Sequence, residues 1–203
     1  MNRTNIINEI VKKYKFNSYL EIGVRDSREN FNLITTKIKD GVDPEPITPV
    51  NFKMTSDEFF KNHIGNKKYD VVFVDGLHTE EQSYVDVINS INHLNDGGFI
   101  VMHDCNPPTE YHIRTYEEYL KTRGQWNGTV FKAFIKLKTE LKDWNCFVVD
   151  EDFGCGILTK RKLKKQFSLL NMFDKNITWE YFSKNKNNLL NLISYDEFLN
   201  ILK

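Results

Sequence analysis

The feature that most constrains the fold lies in the middle of the chain, where two apolar runs flank a helix pattern. Tyr69–Asp75 and Phe99–Met102 are almost continuously apolar and β-branched, as is typical of strands buried on both faces. Between them, Thr79 is a candidate helix N-cap, and Asp96-Gly-Gly98 predicts the end of the helix, since glycine suits a left-handed C-cap. Strand, helix and strand at this spacing predict a right-handed βαβ unit with parallel strands.

Patterns on either side extend this unit into a larger sheet. The predicted elements before it are an amphipathic N-terminal helix, a strand at Ser18–Ile22, a helix over Arg28–Lys37, a weak strand that stops at Asp43-Pro44, a strand at Asn51–Met54 and a helix capped by Thr55. Those after it are a helical insert over Tyr111–Arg123, a helix through Phe131–Leu137, an antiparallel hairpin of Cys146–Val149 and Gly156–Leu158, and a helical tail. The fold class is therefore α/β: a Rossmann-like, doubly wound, mostly parallel sheet with an antiparallel C-terminal hairpin and helices on both faces.

Length and charge limit the possible domain organisation and the possible partners. A chain of 203 residues suits one domain over 1–203, with a core at about 15–160, a lid insert at about 105–128 and a helical tail at 160–203. The 28 basic residues balance the 28 acidic ones, which argues against a nucleic-acid partner and against a membrane-surface partner. With no signal sequence and no apolar run of membrane-spanning length, we expect a cytoplasmic protein, either monomeric or a homo-oligomer.

Polar side chains follow each predicted strand, which is where open α/β sheets bind ligands. Each residue alone has a structural explanation as a turn or cap residue. Together they place carboxylates at four strand ends, which a merely structural sheet does not require. These residues are Glu21, Gly23 and Arg25, then Asp43, then Thr55, Ser56 and Asp57, then Asp75, Gly76 and His78, and finally His103 and Asp104.

The first two strand ends indicate a nucleoside ligand. A glycine turn at Gly23, followed about 20 residues later by the carboxylate of Asp43, is the arrangement that holds ribose hydroxyls. The turn Gly23–Arg28 has one glycine and lacks the full Gly-x-Gly-x-x-Gly pattern that lets a backbone approach a pyrophosphate. A nucleoside without a diphosphate therefore fits better than NAD.

At these residues the sequence resembles the class I S-adenosylmethionine-dependent methyltransferases. It looks most like a bacterial family whose members often accompany glycan and capsule biosynthesis. The resemblance runs from about residue 18 to about residue 160. Its segments are Leu20–Val24, Gly41–Pro44, Phe73–Thr79, Asp96–Asp104, Trp126–Val130 and Asp152–Gly156.

The resemblance implies a role for each candidate residue. In the cofactor site, Glu21 and Gly23 would lie under the methionine part, Asp43 would hold the ribose, and Thr55, Ser56 and Asp57 would border the adenine. Asp75 and His78 would face the sulfonium and the methyl acceptor.

A metal site is implied as well. Related sugar O-methyltransferases bind a divalent cation such as Mg²⁺ at positions that correspond to Asp75 and Asp104. His103 stands where some relatives carry another acid.

The expected activity is transfer of a methyl group to a hydroxyl of a sugar, a glycan precursor or another small hydroxylated acceptor. The expected catalytic residues are His78, His103 and Asp104. His78 either acts as the general base or orients the acceptor beside Asp75, and His103 is the second candidate for the base. In a further alternative, a divalent cation on Asp75 and Asp104 lowers the pKa of the acceptor hydroxyl. The insert would close over the acceptor with Tyr116, Tyr119 and Trp126. Two alternatives stay open: a non-catalytic nucleoside-binding or scaffold protein of the same fold, and an NAD-dependent sugar-modifying enzyme.

Overall fold

The computed structural model describes residues 1–202 and has the predicted α/β architecture. Within those residues the strands are β1 (Ser18–Ile22), β2 (Ile38–Val42), β3 (Tyr69–Val74), β4 (Leu94–Met102), β5 (Asn145–Val149), β6 (Cys155–Thr159) and β7 (Leu192–Ile193). The helices are α1 (Arg3–Tyr14), α2 (Ser56–Glu58), α3 (Glu80–Asn92), α4 (Tyr116–Thr122), α5 (Val130–Glu140), α6 (Trp179–Leu190) and α7 (Tyr195–Leu202). Among these helices the longest has 13 residues, whereas a bilayer span needs about 20.

All seven strands form one sheet in the order β2-β1-β3-β4-β6-β5-β7. The four strands from β2 to β4 are parallel, and α3 joins β3 to β4 as the predicted crossover. β6 runs antiparallel to both β4 and β5, which confirms the hairpin, and β7 pairs parallel with β5. Because β7 covers β5, the hairpin does not form the outer edge of the sheet.

Apolar side chains fill both faces of the sheet, as a doubly wound fold requires. Val72 and Val74 of β3 belong to one core cluster, and Val71 and Phe73 belong to the other. Successive residues of a strand point to opposite faces, so one nearly continuous apolar run supplies both cores.

The predicted end of the central helix is wrong. α3 ends at Asn92, and Asp96-Gly-Gly98 lies inside β4. A Cβ at Gly98 would lie 2.7 Å from the carbonyl oxygen of Asp70, and one at Gly97 would lie 2.7 Å from the guanidinium of Arg161. These glycines therefore allow a close approach to β4, rather than capping a helix.

Two elements before β3 are also smaller than predicted. The expected helix over Arg28–Lys37 is only a 3₁₀ turn at Phe31–Leu33. The ammonium of Lys39 donates to the carbonyls of Phe31, Asn32 and Ile34, and of these Phe31 also accepts the backbone N–H of Ile34 that closes the 3₁₀ turn. The expected strand at Asn51–Met54 is a single bridge from Phe52 to Val42.

The insert and the tail are less regular than predicted. The insert has a 3₁₀ turn at Glu110–Ile113 and then α4, which begins after its N-cap Thr115. Residues 160–178, all of them described, form no helix or strand, and the rest of the tail contains β7 as well as α6 and α7. Stacking of Phe167 on Phe147 at 4.3 Å holds this irregular segment against the sheet without backbone ladders.

Candidate functional site

A cavity of about 910 Å³ opens at the carboxyl ends of β1 to β4. Its volume lies in the range of small-molecule sites. Every candidate site residue from the sequence lines it: Glu21, Gly23, Asp43, Thr55, Ser56, Asp57, Asp75, His78, His103 and Asp104. The parallel topology brings these strand ends together at one edge, although the roles of the residues stay predictions.

Glu21 and Gly23 form the floor of this cavity. The Glu21 carboxyl group is buried and accepts hydrogen bonds from the Tyr19 hydroxyl at 2.5 Å and from the Asn30 amide at 2.9 Å. Burial raises the pKa of Glu21 to about 8. Gly23 has φ +87°, and a Cβ there would lie 2.0 Å from the backbone oxygen of Asp75. The turn thus needs glycine in order to pack against the end of β3.

The carboxylate of Asp43 closes the loop after β2. It accepts the backbone N–H groups of Arg25 and Glu45, both at 2.8 Å. Each carboxylate oxygen can accept more than one hydrogen bond, so Asp43 keeps acceptor capacity toward the cavity.

At the other end of the cavity, two histidines bridge two aspartates. His78 lies 3.3 Å from Asp75 through Nε2 and 3.0 Å from Asp104 through Nδ1. His103 Nδ1 lies 3.3 Å from an oxygen of each aspartate. Asn127 donates its amide to Asp104 at 2.8 Å. The cluster is compact and internally hydrogen-bonded.

The carboxylates control the charge of the two imidazoles. Burial by itself would lower the pKa of His78 and of His103, but the facing carboxylates outweigh it and raise both pKa values, that of His103 most strongly. Burial would likewise raise the pKa of Asp75, yet His103 and His78 hold that pKa well below its ordinary value. The facing carboxylates therefore favour the cationic form of each imidazole.

Two residues that sequence reasoning missed complete the cluster. Arg3 Nη1 lies 3.1 Å from His103 Nε2 and donates to Asp152 at 3.4 Å. Burial would raise the pKa of Asp152, but His103 and Arg3 outweigh it and lower that pKa to about 2. Asp152 begins one of the segments that carry the resemblance and was thus findable, whereas no local signal marks Arg3 on α1.

The insert supports His78 directly. The Trp126 ring stacks on His78 with centroids 5.5 Å apart and on Tyr119 with centroids 4.5 Å apart. His78 Nδ1 also lies 2.8 Å from the Trp126 carbonyl. That carbonyl and the Asp104 carboxylate can only accept, so Nδ1 carries a proton and Nε2 is the nitrogen that titrates. Tyr116 packs on the same indole at 5.6 Å.

The expected metal site lies within this cluster. Asp75, His78 and Asp104 each offer one ligand atom, and these atoms lie within 4.8 Å of one another. Mg²⁺ prefers octahedral oxygen ligands, whereas one of these donors is nitrogen and both carboxylates already face imidazoles. The donor set fits Mg²⁺ poorly.

Comparisons with known proteins agree with the fold. A family model described as a methyltransferase domain matches residues 15–105. A search of curated proteins found no match. Three of the similar solved structures are an O-methyltransferase from Bacillus cereus in complex with SAH, a protein from Staphylococcus aureus provisionally named caffeoyl-CoA O-methyltransferase, and a cofactor-bound protein from MTB.

The structural likeness is broad while the sequence likeness is low. The Bacillus cereus protein is 11% identical with TM-score 0.53, over 78% of this chain and 80% of that one. The Staphylococcus aureus protein is 16% identical with TM-score 0.54, over 79% and 85%. The MTB protein is 12% identical with TM-score 0.53, over 80% of this chain and 82% of that one. Sheet order, cavity position and these matches together show that the chain has the class I methyltransferase fold.

Proposed function

We propose that this protein is an S-adenosylmethionine-dependent methyltransferase that methylates a hydroxyl of a sugar, a glycan precursor or another small hydroxylated acceptor. The observation that carries the proposal is one cavity with the Asp43 carboxylate at one end and a histidine–aspartate cluster at the other end. An acidic cavity favours a cationic sulfonium ligand. The likeness to a solved O-methyltransferase supports transfer to oxygen.

The cavity residues fit this cofactor. Asp43 retains acceptor capacity for ribose hydroxyls, and Glu21 offers a buried carboxyl near Gly23 for the methionine part. When bound, S-adenosylmethionine would supply an electrophilic methyl group on a sulfonium.

In the proposed reaction, His78 is the general base. Its Nε2 accepts the hydroxyl proton of the acceptor, while the Trp126 carbonyl and Asp104 hold Nδ1–H and thereby fix the ring. A positioned base of this kind adds about 10²–10⁴-fold to the rate. His103 and Asp104 keep the cluster in place, and the insert excludes water from the acceptor.

The first test is calorimetric titration with S-adenosylmethionine and, separately, with NAD. We expect the wild type to bind the first and not the second, and Asp43→Ala to bind at least tenfold more weakly because about one charged hydrogen bond is lost. Asp96→Ala, an exposed acid outside the cavity, is the control. Equal affinity of Asp43→Ala and wild type would remove Asp43 from the ribose site.

The second test is mass spectrometry of sugars and nucleotide sugars incubated with the enzyme and cofactor. A product heavier by one methylene group, abolished in His78→Ala, would support the reaction. Cofactor binding without methylation of any acceptor would instead favour the non-catalytic alternative.

The resemblance implies a magnesium ion on Asp75 and Asp104, but the donor set favours a reaction without one, and no step of the proposed mechanism depends on it. The same assay with a chelator, and with Mg²⁺ restored, decides the matter. From the donor set we expect the chelator to leave the rate unchanged.

A further inference from the structure

Gln82, in the first turn of α3, lines the cavity beside the segment that precedes and forms α2. Its amide nitrogen lies 3.0 Å from Asp86 Oδ1, 3.2 Å from Asp57 Oδ1 and 3.3 Å from Ser56 Oγ. Carboxylate oxygens can only accept, so the NH₂ group must face them. The amide orientation is thereby decided, and Oε1 is left to accept from another donor.

Asp86 holds the Gln82 amide in this orientation. It is 1% exposed, and within residues 1–202 its Oδ2 has no hydrogen-bond partner. That oxygen lies 3.4 Å from the point that a Cβ on Gly76 would take, just behind the cavity wall. A carboxyl buried in this way is expensive to keep, and the side chains of Gln82 and Ser56 stabilise its ionised form.

The segment from Phe52 to Asp57 contacts both Asp43 and Gln82, which indicates what Oε1 meets. The backbone N–H of Asp43 donates to the Phe52 carbonyl at 3.1 Å, and the chain then runs directly into Thr55–Asp57. The base of a nucleoside whose ribose lies on Asp43 would therefore extend toward Ser56, Asp57 and Gln82.

We infer that Gln82 is a specificity-determining residue that accepts a hydrogen bond from the exocyclic amine of adenine through Oε1, with Asp86 as its positioning residue. This inference rests on the proposed function. It adds Gln82, a residue of α3, to the expected adenine border of Thr55, Ser56 and Asp57.

The experiment compares two ligands, S-adenosylhomocysteine and its deaminated analogue S-inosylhomocysteine, by calorimetry. The analogue carries an oxygen in place of the amine, so it cannot donate to Oε1. We expect the wild type to prefer the adenosine ligand by about tenfold or more, because an unpaired acceptor facing another acceptor is disfavoured. Gln82→Leu should reduce this preference at least threefold, and Gln166→Leu, an exposed control, should not change it.

Asp86 is tested with a matched pair. Asp86→Asn keeps an oxygen for the Gln82 amide and should retain the preference, whereas Asp86→Leu should reduce it as Gln82→Leu does. The preference is a ratio of two affinities of one protein, so it does not depend on how much of a variant is folded.

The outcomes separate the two ideas. If the wild type binds neither ligand, the proposed function fails and this inference fails with it. If the wild type binds S-adenosylhomocysteine but Gln82→Leu keeps the wild-type preference, only the role of Gln82 is overturned.

Discussion

At the scale of single residues, the buried carboxyl of Glu21 links stability to pH. Its pKa of about 8 in the folded protein exceeds the ordinary value of 4.5 because of burial. Folding therefore favours the protonated form, and this contribution is complete below pH 4.5 and is lost as pH rises through 8. We expect the wild type to lose about 3 kcal/mol relative to Glu21→Gln between pH 5 and pH 8.

Urea denaturation of both proteins at several pH values measures this difference. The glutamine oxygen can still accept from Tyr19 and Asn30, so the fold should persist. Glu180→Gln, at an exposed residue, is the control. Parallel curves for Glu21→Gln and wild type would show that Glu21 ionises normally.

A second prediction at this scale concerns the rate of methyl transfer. Nearby carboxylates raise the pKa of His78, so Nε2 loses its proton only at higher pH. We expect kcat/KM to rise with pH through a midpoint above 6.5, and His78→Asn to lose both this dependence and about 10²–10⁴-fold in rate. A profile that is flat across this range, or one that His63→Asn alters equally, would contradict the assignment.

At the scale of elements, the turn after β1 depends on the absence of a side chain. Gly23→Ala places a Cβ 2.0 Å from a backbone oxygen of Asp75, which cannot move without shifting β3. Gly65 also has a positive φ, of +56°, but nothing lies within 4 Å of its Cβ position. We expect Gly65→Ala to cost about 1 kcal/mol and Gly23→Ala at least about 3 kcal/mol in the free energy of unfolding. Similar losses in chemical denaturation would mean that the turn relaxes.

At the scale of the whole molecule, the C-terminal helices belong to the same core as the sheet. Phe198 of α7 is fully buried in the cluster that contains Ile6 and Phe73. Phe198→Ala should destabilise the protein by about 3–5 kcal/mol, measured by chemical denaturation, whereas Tyr181→Ala at an exposed position of α6 should change it by about 0.5 kcal/mol or less. If both variants match the wild type, the tail is dispensable for the core.

How far the sequence predicts the fold depends on whether its signals are local. The βαβ unit was predicted from one apolar run and its flanks, because strands buried on both faces have a distinctive composition. The helix over Arg28–Lys37 was predicted wrongly because the amphipathic pattern does not reveal Lys39, which donates to the carbonyls of that segment. The predicted end of α3 was wrong for a similar reason, since Gly97 and Gly98 pack against residues that are distant in sequence.

For the candidate site, too, only the features with local sequence signals could be predicted. Sequence alone determined the α/β class and the residues at the strand ends, because parallel strands must bring those ends to one edge. Only the tertiary structure decided that Arg3 and Asp152 hold His103, that Trp126 holds His78, and which atoms of the cluster face one another. These contacts join residues up to 100 positions apart, and a contact across such a separation is determined by how helices and loops pack rather than by any local pattern.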